Sequence, residues 1–175
     1  MSVLTTSRLR LRALIEGDAP FVVELVNEPA FLEHIGDKNV RSENDARRFI
    51  AEGPWTRGQP EGHGQLVVER IEDGEPVGVC GLLHRESLEL TDVGFAILER
   101  HRGRGYATEA AEALYRYGIE TLGLVRIVGL TTPGNRSSIR VLEKLGLRFE
   151  KTVRMGGDGD DGYAGSETSL DAQLD

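Results

Sequence analysis

The segment Arg100–Ala107 has the residue types of an anion-binding loop. It joins a predicted strand to the start of a predicted long helix, where backbone N–H groups lack partners and the helix dipole is positive. Gly103 and Gly105 allow a ligand to approach the main chain closely. Positive charge is concentrated here by Arg100, Arg102 and Arg104, in a chain whose 21 Lys and Arg against 29 Asp and Glu give a net charge of -8. These features predict a site for a pyrophosphate group.

Two common nucleotide-binding motifs do not fit this segment. The dinucleotide fingerprint Gly-x-Gly-x-x-Gly or Ala requires a small residue where this chain has Thr108. The preceding elements also form an antiparallel meander, whereas that fingerprint lies in a βαβ unit. The sequence contains no Gly-x-x-x-x-Gly-Lys-Ser or Thr loop, so an ATP-binding P-loop is not predicted either.

The elements that position this loop follow from hydrophobic periodicity and turn residues. Helices are predicted from about Pro20 to Val26, after Ser42 with Asp45 as a capping-box acid, from Tyr106 to Leu122 and from Ser137 to Leu145. The Gly- and Pro-rich stretch 55–64 is predicted to be a loop, 155–162 a flexible acidic loop, and Asp73-Gly74 a hairpin turn. Strands are predicted over 8–13, 65–71, 76–83, 90–98, 125–130, 147–153 and 163–174.

Two motifs resemble those of a known family. The pattern Arg100-x-x-Gly103-x-Gly105-Tyr106-Ala107, preceded by Asp92-Val93-Gly94-Phe95-Ala96-Ile97, resembles the acetyl-CoA signature of the GNAT N-acetyltransferases. Its extension to Ala110 and the opening strand with Arg8 and Arg12 resemble the Rim-type branch, which includes the ribosomal-protein N-terminal acetyltransferases. Downstream, the segment from Asn135 to Leu147 is similar to the family motif Asn-x-x-Ser-x-x-x-x-Glu-Lys-x-Gly-Phe.

The resemblance implies an α+β (mixed α/β) fold, namely a single domain over 1–175 with a splayed, mostly antiparallel mixed sheet of about seven strands and helices on both faces. It implies that acetyl-CoA lies between the strands 92–98 and 125–130, with its pantetheine arm on unpaired backbone groups. Asn135 would reach this arm, although a residue just before a helix is equally a turn former. The expected cofactor-binding residues are Phe95, Ala96, Ile97, Arg100, Arg102, Gly103, Arg104, Gly105, Tyr106, Ala107, Thr108 and Asn135.

The resemblance also suggests catalytic residues. Asp92 occupies a position where the branch often carries Glu, and it would act as general base directly or through a water; a partly exposed strand acid is the alternative. Ser138 would hydrogen-bond or protonate the leaving sulfur, or serve only as a small residue in the first turn of a helix. Many family members have a tyrosine acid where this chain has Leu142. The competitors for the role of base are Glu86, Glu89 and His84; among these residue types, only histidine has an unperturbed pKa near neutral.

The expected function is acetyl-CoA-dependent transfer of an acetyl group to a primary amine, either a protein N-terminus or a small amine. The alternative is an acyl-CoA-binding sensor or interaction module without efficient catalysis. The acidic balance argues against nucleic-acid and anionic-membrane partners, and the expected location is cytoplasmic. Cys80 is expected to be a buried, inert thiol, Trp55 either a core residue or a substrate contact, and no metal site is predicted. The sequence leaves monomer and homodimer open.

Overall fold

A mixed eight-stranded sheet forms the centre of the described part of the chain. The computed structural model describes residues 4–154 and 167–173. The predicted acidic loop 155–162 lies outside these residues, and the strand predicted over 163–174 is described only in part. The strands are β1 (Leu4–Thr5), β2 (Leu9–Arg12), β3 (Gly64–Arg70), β4 (Pro76–Arg85), β5 (Leu90–Ile97), β6 (Ile127–Thr131), β7 (Leu147–Arg154) and β8 (Glu167–Gln173).

The strand order is β1-β2-β3-β4-β5-β6-β8-β7, and all neighbours are antiparallel except β5 and β6. The turn between β3 and β4 is the predicted Asp73-Gly74 hairpin, in which Gly74 has φ +73° and its N–H donates to the carbonyl of Arg70. The predicted fold class is therefore confirmed. The described sheet has one strand more than the seven predicted, because the two-residue β1 pairs with β2.

Helices cover both faces of the sheet, as predicted. On one face α4 packs on a core that includes Leu82, Val93 and Leu114. On the other face, a second core around Leu25, Val67 and other apolar residues joins the first three helices to the sheet. The helices are α1 (Ala19–Val26), α2 (Pro29–His34), α3 (Glu43–Glu52), α4 (Tyr106–Glu120) and α5 (Arg136–Lys144).

Most helix boundaries follow the sequence signals, but α2 does not. Ser42 and Asp45 form the predicted capping box of α3. The sequence pattern predicts no helix between Val26 and Ser42. Pro29 stands in the first turn of α2, since proline fits both after one helix and at the start of the next. The predicted strand at Val125 begins two residues later, and Val125 is 99% exposed.

The parallel strands β5 and β6 separate soon after they meet. Their ladder contains two residue pairs, Thr91 with Ile127 and Asp92 with Val128. From Val93 onwards, the edge of β5 that faces β6 therefore has no strand partner among the described residues. The antiparallel ladder with β4 continues on the other edge as far as Ile97. The sheet is thus splayed at the point where the resemblance implied it.

Close packing of β3 on β4 makes Gly81 a sensitive position. A Cβ atom there would lie 2.2 Å from the backbone oxygen of Gly64 and 2.7 Å from the Cα of Gln65. Because backbone atoms cannot move aside locally, Gly81→Ala is expected to lower the free energy of unfolding by about 1–3 kcal/mol in urea denaturation. Gly17→Ala is the matched control, since its nearest contact would be an ordinary 3.7 Å. Equal stability of the two variants would contradict the packing described.

Candidate active site

A cleft of about 370 Å³ lies between the free edge of β5, the start of α4 and α5. Most of the residues predicted to bind a cofactor line this one cleft, although they come from three separate parts of the sequence. These are Phe95, Ala96, Ile97, Arg102, Gly103, Gly105, Tyr106, Ala107, Thr108 and Asn135. Ser138, one of the two predicted catalytic residues, lines it as well. Arg100 and Arg104 are not among the lining residues.

The glycine turn before α4 has the backbone shape of an anion-binding loop. Gly103 has φ +73° and Gly105, the N-cap of α4, has φ +81°, so both lie in the left-handed region that favours glycine. A Cβ at Gly103 would meet no atom within 4 Å. The turn therefore leaves open space in front of the N-terminal end of a 15-residue helix, where N–H groups and the dipole attract an anion.

The turn is anchored by the side chain of Arg8, the residue directly before β2. Its guanidinium donates to the backbone oxygen of Arg104 at 2.9 Å and to Glu109, in the first turn of α4, at 2.7 Å. Thr6 adds a hydrogen bond of 2.6 Å to the same carboxylate. Sequence reasoning gave Arg8 only as a strand residue, because these contacts join positions about a hundred residues apart.

Carboxylates pair with two of the three arginines predicted to neutralise phosphate charge. Arg100 contacts Glu24 of α1 and lies 3.3 Å from Glu75. Arg102 donates to Glu28 at 2.8 Å and to the backbone oxygen of Ile97 at 2.8 Å. These two side chains therefore fasten the turn to the layer of helices α1–α3.

Two cations on α5 line the cleft instead, and they carried no predicted role. Arg140 and Lys144 are four residues apart, a spacing that brings side chains to one face of a helix. They face the glycine turn across the cleft, so their charge adds to that of the α4 dipole. The spacing of basic residues in the motif 135–147 was the signal available in the sequence.

A second, smaller space opens from the cleft into the sheet, and we call it the inner chamber. Its cavity volume is about 80 Å³. It shares Phe95, Ala96, Asn135 and Ser138 with the cleft, so the two spaces meet at the splay. The inner chamber reaches Gln65 of β3, Arg85 of β4, Asp92 of β5 and Thr131 of β6, and it is also lined by Phe31, His34, Ile35, Lys38, Trp55, Val79, Leu83, Val93, Gly94 and Leu130.

Asp92 lies in the inner chamber as half of a buried ion pair. Its residue exposure is 2%, and its Oδ1 accepts a hydrogen bond of 2.6 Å from Nε of Arg85. Burial makes the attraction between two charges stronger than in water, and the guanidinium stabilises the carboxylate form. The alternative of a partly exposed strand acid is therefore wrong for this residue.

The competing bases lie away from the linings of both spaces. Glu86 and Glu89 are exposed on the turn between β4 and β5, and Glu89 adopts φ +52°. The ring centroid of His84 lies 6.5 Å from that of His63. A histidine does line both spaces, but it is His34 of α2, whose Nδ1 lies 2.9 Å from Oγ1 of Thr132. Sequence reasoning missed His34 because α2 was not predicted.

Asn135 and Ser138 stand at the junction of the two spaces. Asn135 is the N-cap of α5, and its Oδ1 accepts hydrogen bonds from the Ser138 N–H at 3.2 Å and the Ser137 hydroxyl at 3.1 Å. Asn135 therefore has the structural role of a turn former at the start of a helix, and it also lines the cleft. Leu142, at the place of the family's tyrosine, is buried in the core.

Trp55 and Cys80 are both core residues. Trp55 is 4% exposed and packs on Phe49, with ring centroids 4.9 Å apart, and it also forms part of the chamber wall. Cys80 is fully buried, and desolvation raises the pKa of its thiol far above the ordinary value, as expected of an inert side chain. Among the described residues, no group of three or more His, Cys, Asp or Glu could hold a metal ion. No helix within 4–154 or 167–173 is long and apolar enough to span a membrane.

Comparison with known proteins identifies the family. Residues 8–148 match the Acetyltransferase (GNAT) domain. YkkB of Bacillus subtilis (strain 168) is 31% identical over 156 residues, which are 86% of this chain and 88% of YkkB. Since the family match spans most of the sequence, the chain belongs to the GNAT acetyltransferase family. It is accordingly an acetyl-CoA-dependent acetyltransferase.

Solved structures agree with this assignment. An acetyltransferase from Agrobacterium tumefaciens str. C58 superposes with a TM-score of 0.75 at 28% identity, covering 100% of this chain and 95% of the other. RimL, a ribosomal L7/L12 alpha-N-protein acetyltransferase in complex with coenzyme A, superposes with a TM-score of 0.78 at 18% identity, covering 99% and 98%. At that identity, the likeness to RimL shows a shared fold.

The capping role of Asn135 can be measured separately from any role in binding. Asn135→Ala removes the oxygen that accepts from the first turn of α5, so we expect a loss of about 1 kcal/mol in the free energy of unfolding by urea denaturation. Asn135→Ser retains a capping oxygen and is expected to stay within about 0.5 kcal/mol of the unaltered chain. An alanine variant as stable as the serine variant would exclude the cap as a source of stability.

Proposed function

We propose that this acetyltransferase transfers the acetyl group directly from acetyl-CoA to a primary amine at the junction of the cleft and the inner chamber. The observation that carries the proposal is the splay of β5 from β6 immediately beside the glycine turn of α4. The proposal retains the cytoplasmic location and the kinship with the Rim-type branch that the sequence suggested. The acceptor is either a protein N-terminus or a small amine.

The residues of the cleft fit acetyl-CoA, whose thioester supplies an activated acetyl group. The free edge of β5 at Phe95 and Ala96 offers backbone N–H and C=O groups that need partners, and an amide-bearing pantetheine arm provides them in the manner of an added strand. The turn at Gly103 and Gly105 presents N–H groups to a pyrophosphate. Arg140 and Lys144 supply the positive charge that phosphate groups require.

The chamber residues supply the proton chemistry. Asp92 accepts the proton that the amine loses as its nitrogen forms a bond to the acetyl carbon and the carbon–sulfur bond breaks. Ser138 donates a hydrogen bond to the leaving thiolate sulfur. Its hydroxyl is available for this role, because it forms no hydrogen bond with the described residues. The apolar side chains of Phe31 and Ile35, from the α2 region, limit access of water to both spaces.

An acyl-CoA-binding sensor remains the second candidate. Two observations favour it: the ion pair that commits Asp92 to Arg85, and the core position of Leu142, which leaves no tyrosine acid there. A sensor requires the same cleft but no turnover. The two functions therefore share the first of the following predictions and differ in the second.

Gly105→Glu tests the placement of acetyl-CoA. The substitution puts a side chain and a negative charge where the pyrophosphate is proposed to lie, so we expect calorimetric titration with acetyl-CoA to show a loss of affinity of about 100-fold or more. Gly123→Glu is the matched control at the other end of α4, because it has the same charge change and a similar φ of +68° but open space around it. Retained affinity for acetyl-CoA in Gly105→Glu would show that the cofactor does not bind in this cleft.

Asp92→Asn separates the enzyme from the sensor. We expect kcat for amine acetylation, followed by thiol release, to fall about 100-fold, because the amide cannot accept the proton. Affinity for acetyl-CoA should stay unchanged, which excludes collapse of the cleft. Glu89→Gln, the same chemical change on an exposed turn, should leave kcat unaltered. Circular dichroism at the assay temperature checks that the variant is folded, since Arg85 loses its partner charge.

Unchanged turnover in Asp92→Asn would exclude Asp92 as the base. Binding of acetyl-CoA by the unaltered protein without turnover on any amine or N-terminal peptide would favour the sensor.

A further inference from the structure

Two residues that line the inner chamber each carry a buried polar atom that has no hydrogen-bond partner within the described part of the chain. These atoms are Oε1 of Gln65, whose residue is 7% exposed, and Oγ1 of Thr131, whose residue is 6% exposed. A buried polar atom left without a partner is unfavourable, because it has lost its hydrogen bonds to water and gained none in their place. Both residues line the same space of about 80 Å³. Two such atoms around one cavity, beside the proposed site of reaction, indicate that a group of a bound ligand supplies the missing hydrogen bonds.

Two glycines bring the Gln65 side chain to the chamber. The strand register places Gln65 beside Gly81 and Gly81 beside Gly94, in one row across β3, β4 and β5. Neighbours in such a row project from the same face of the sheet, so neither glycine obstructs the longer side chain. A Cβ at Gly94 would lie 3.3 Å from Nε2 of Gln65 and 3.6 Å from Oδ2 of Asp92. The carboxamide thus ends near the carboxylate proposed to be the base.

We propose that the inner chamber selects amines that carry a hydroxyl or a second amine two or three bonds from the nitrogen that is acetylated. This inference rests on the proposed function and names its acceptor class. The O–H or N–H of that second group donates to Oε1 of Gln65, and the Thr131 hydroxyl, which both donates and accepts, is the second partner. The acetylated nitrogen remains at the junction, beside Ser138 and Asp92.

The size and polarity of the chamber support this class. A cavity of about 150 Å³ holds benzene, so about 80 Å³ admits roughly three atoms beyond the nitrogen. An alkyl end would leave both oxygen atoms without partners. A carboxylate end only accepts hydrogen bonds, so it cannot satisfy Oε1 of Gln65. A short end that carries a hydrogen-bond donor fits the volume and supplies the missing donor.

Ethanolamine and n-propylamine provide the direct comparison. The two amines have the same number of non-hydrogen atoms, but ethanolamine ends in a hydroxyl group and n-propylamine in a methyl group. Glycine is the third substrate, and it ends in a carboxylate. With saturating acetyl-CoA, we expect kcat/KM per neutral amine to be higher for ethanolamine by about tenfold or more, because the site's polar atoms are left unpaired by the other two. Equal or better turnover of n-propylamine overturns the proposal.

Variants assign the preference to the two residues. Gln65→Leu and Thr131→Val are expected to raise KM for ethanolamine about tenfold and to lower KM for n-propylamine, because the alkyl end then leaves one polar atom fewer unpaired. Thr131→Ser keeps the hydroxyl and is expected to keep the preference. Thr121→Val, on the exposed end of α4, is the neutral control. The thermal midpoint of Gln65→Leu should be equal or higher, because the substitution removes a buried atom without a partner.

The outcomes separate this inference from the proposed function. Acetyl-CoA binding together with turnover of other amines or peptides, but not of ethanolamine, overturns the acceptor class alone. A full preference for ethanolamine in Gln65→Leu and Thr131→Val overturns the assignment to these residues. Absence of acetyl-CoA binding by the unaltered protein overturns the proposed function, and this inference with it.

Discussion

The parting of β5 from β6 is the constraint on which the rest of the molecule depends. Backbone N–H and C=O groups need partners, and a strand in the middle of a sheet ordinarily finds them on both sides. Here the parallel ladder ends after two residue pairs, at Asp92. Within residues 4–154 and 167–173, the sheet therefore leaves a strand-shaped vacancy in its centre. The glycine turn, the α5 cations and the chamber residues are all arranged around its two ends.

The two ends of this vacancy differ in their electrostatic potential. Towards solvent, the glycine turn and the basic face of α5 present positive potential from the backbone, Arg140 and Lys144. Towards the core, Arg85 and Asp92 oppose one another in a buried pair, so a carboxylate is kept within the sheet without a net charge from the pair. We propose that acetyl-CoA, a long anionic molecule, binds at the first end and that the acceptor amine binds at the second. The negative net charge of the whole chain therefore says little about the local charge at either end of the vacancy.

The sequence predicted those parts of the structure that local signals determine. Gly103 and Gly105 predicted the anion turn, and Ser42 with Asp45 predicted the start of α3, because caps and turns involve neighbouring residues. It could not predict that Arg100 and Arg102 bind Glu24, Glu75 and Glu28, since those pairs form only after the layers have packed. The chamber was missed for the same reason. Gln65 reaches it only because two glycines from other strands fall into its row.

The role of Arg8 has a consequence for how this architecture is assembled. The turn that carries the family signature is held by a side chain 96 positions earlier in the chain. During synthesis, the Arg8 side chain therefore lacks these partners until α4 has been made, and contacts of such long sequence separation form slowly. The signature is not an autonomous module. A fragment that began after the first hairpin would contain both motifs and still lack the anchor that gives the turn its shape.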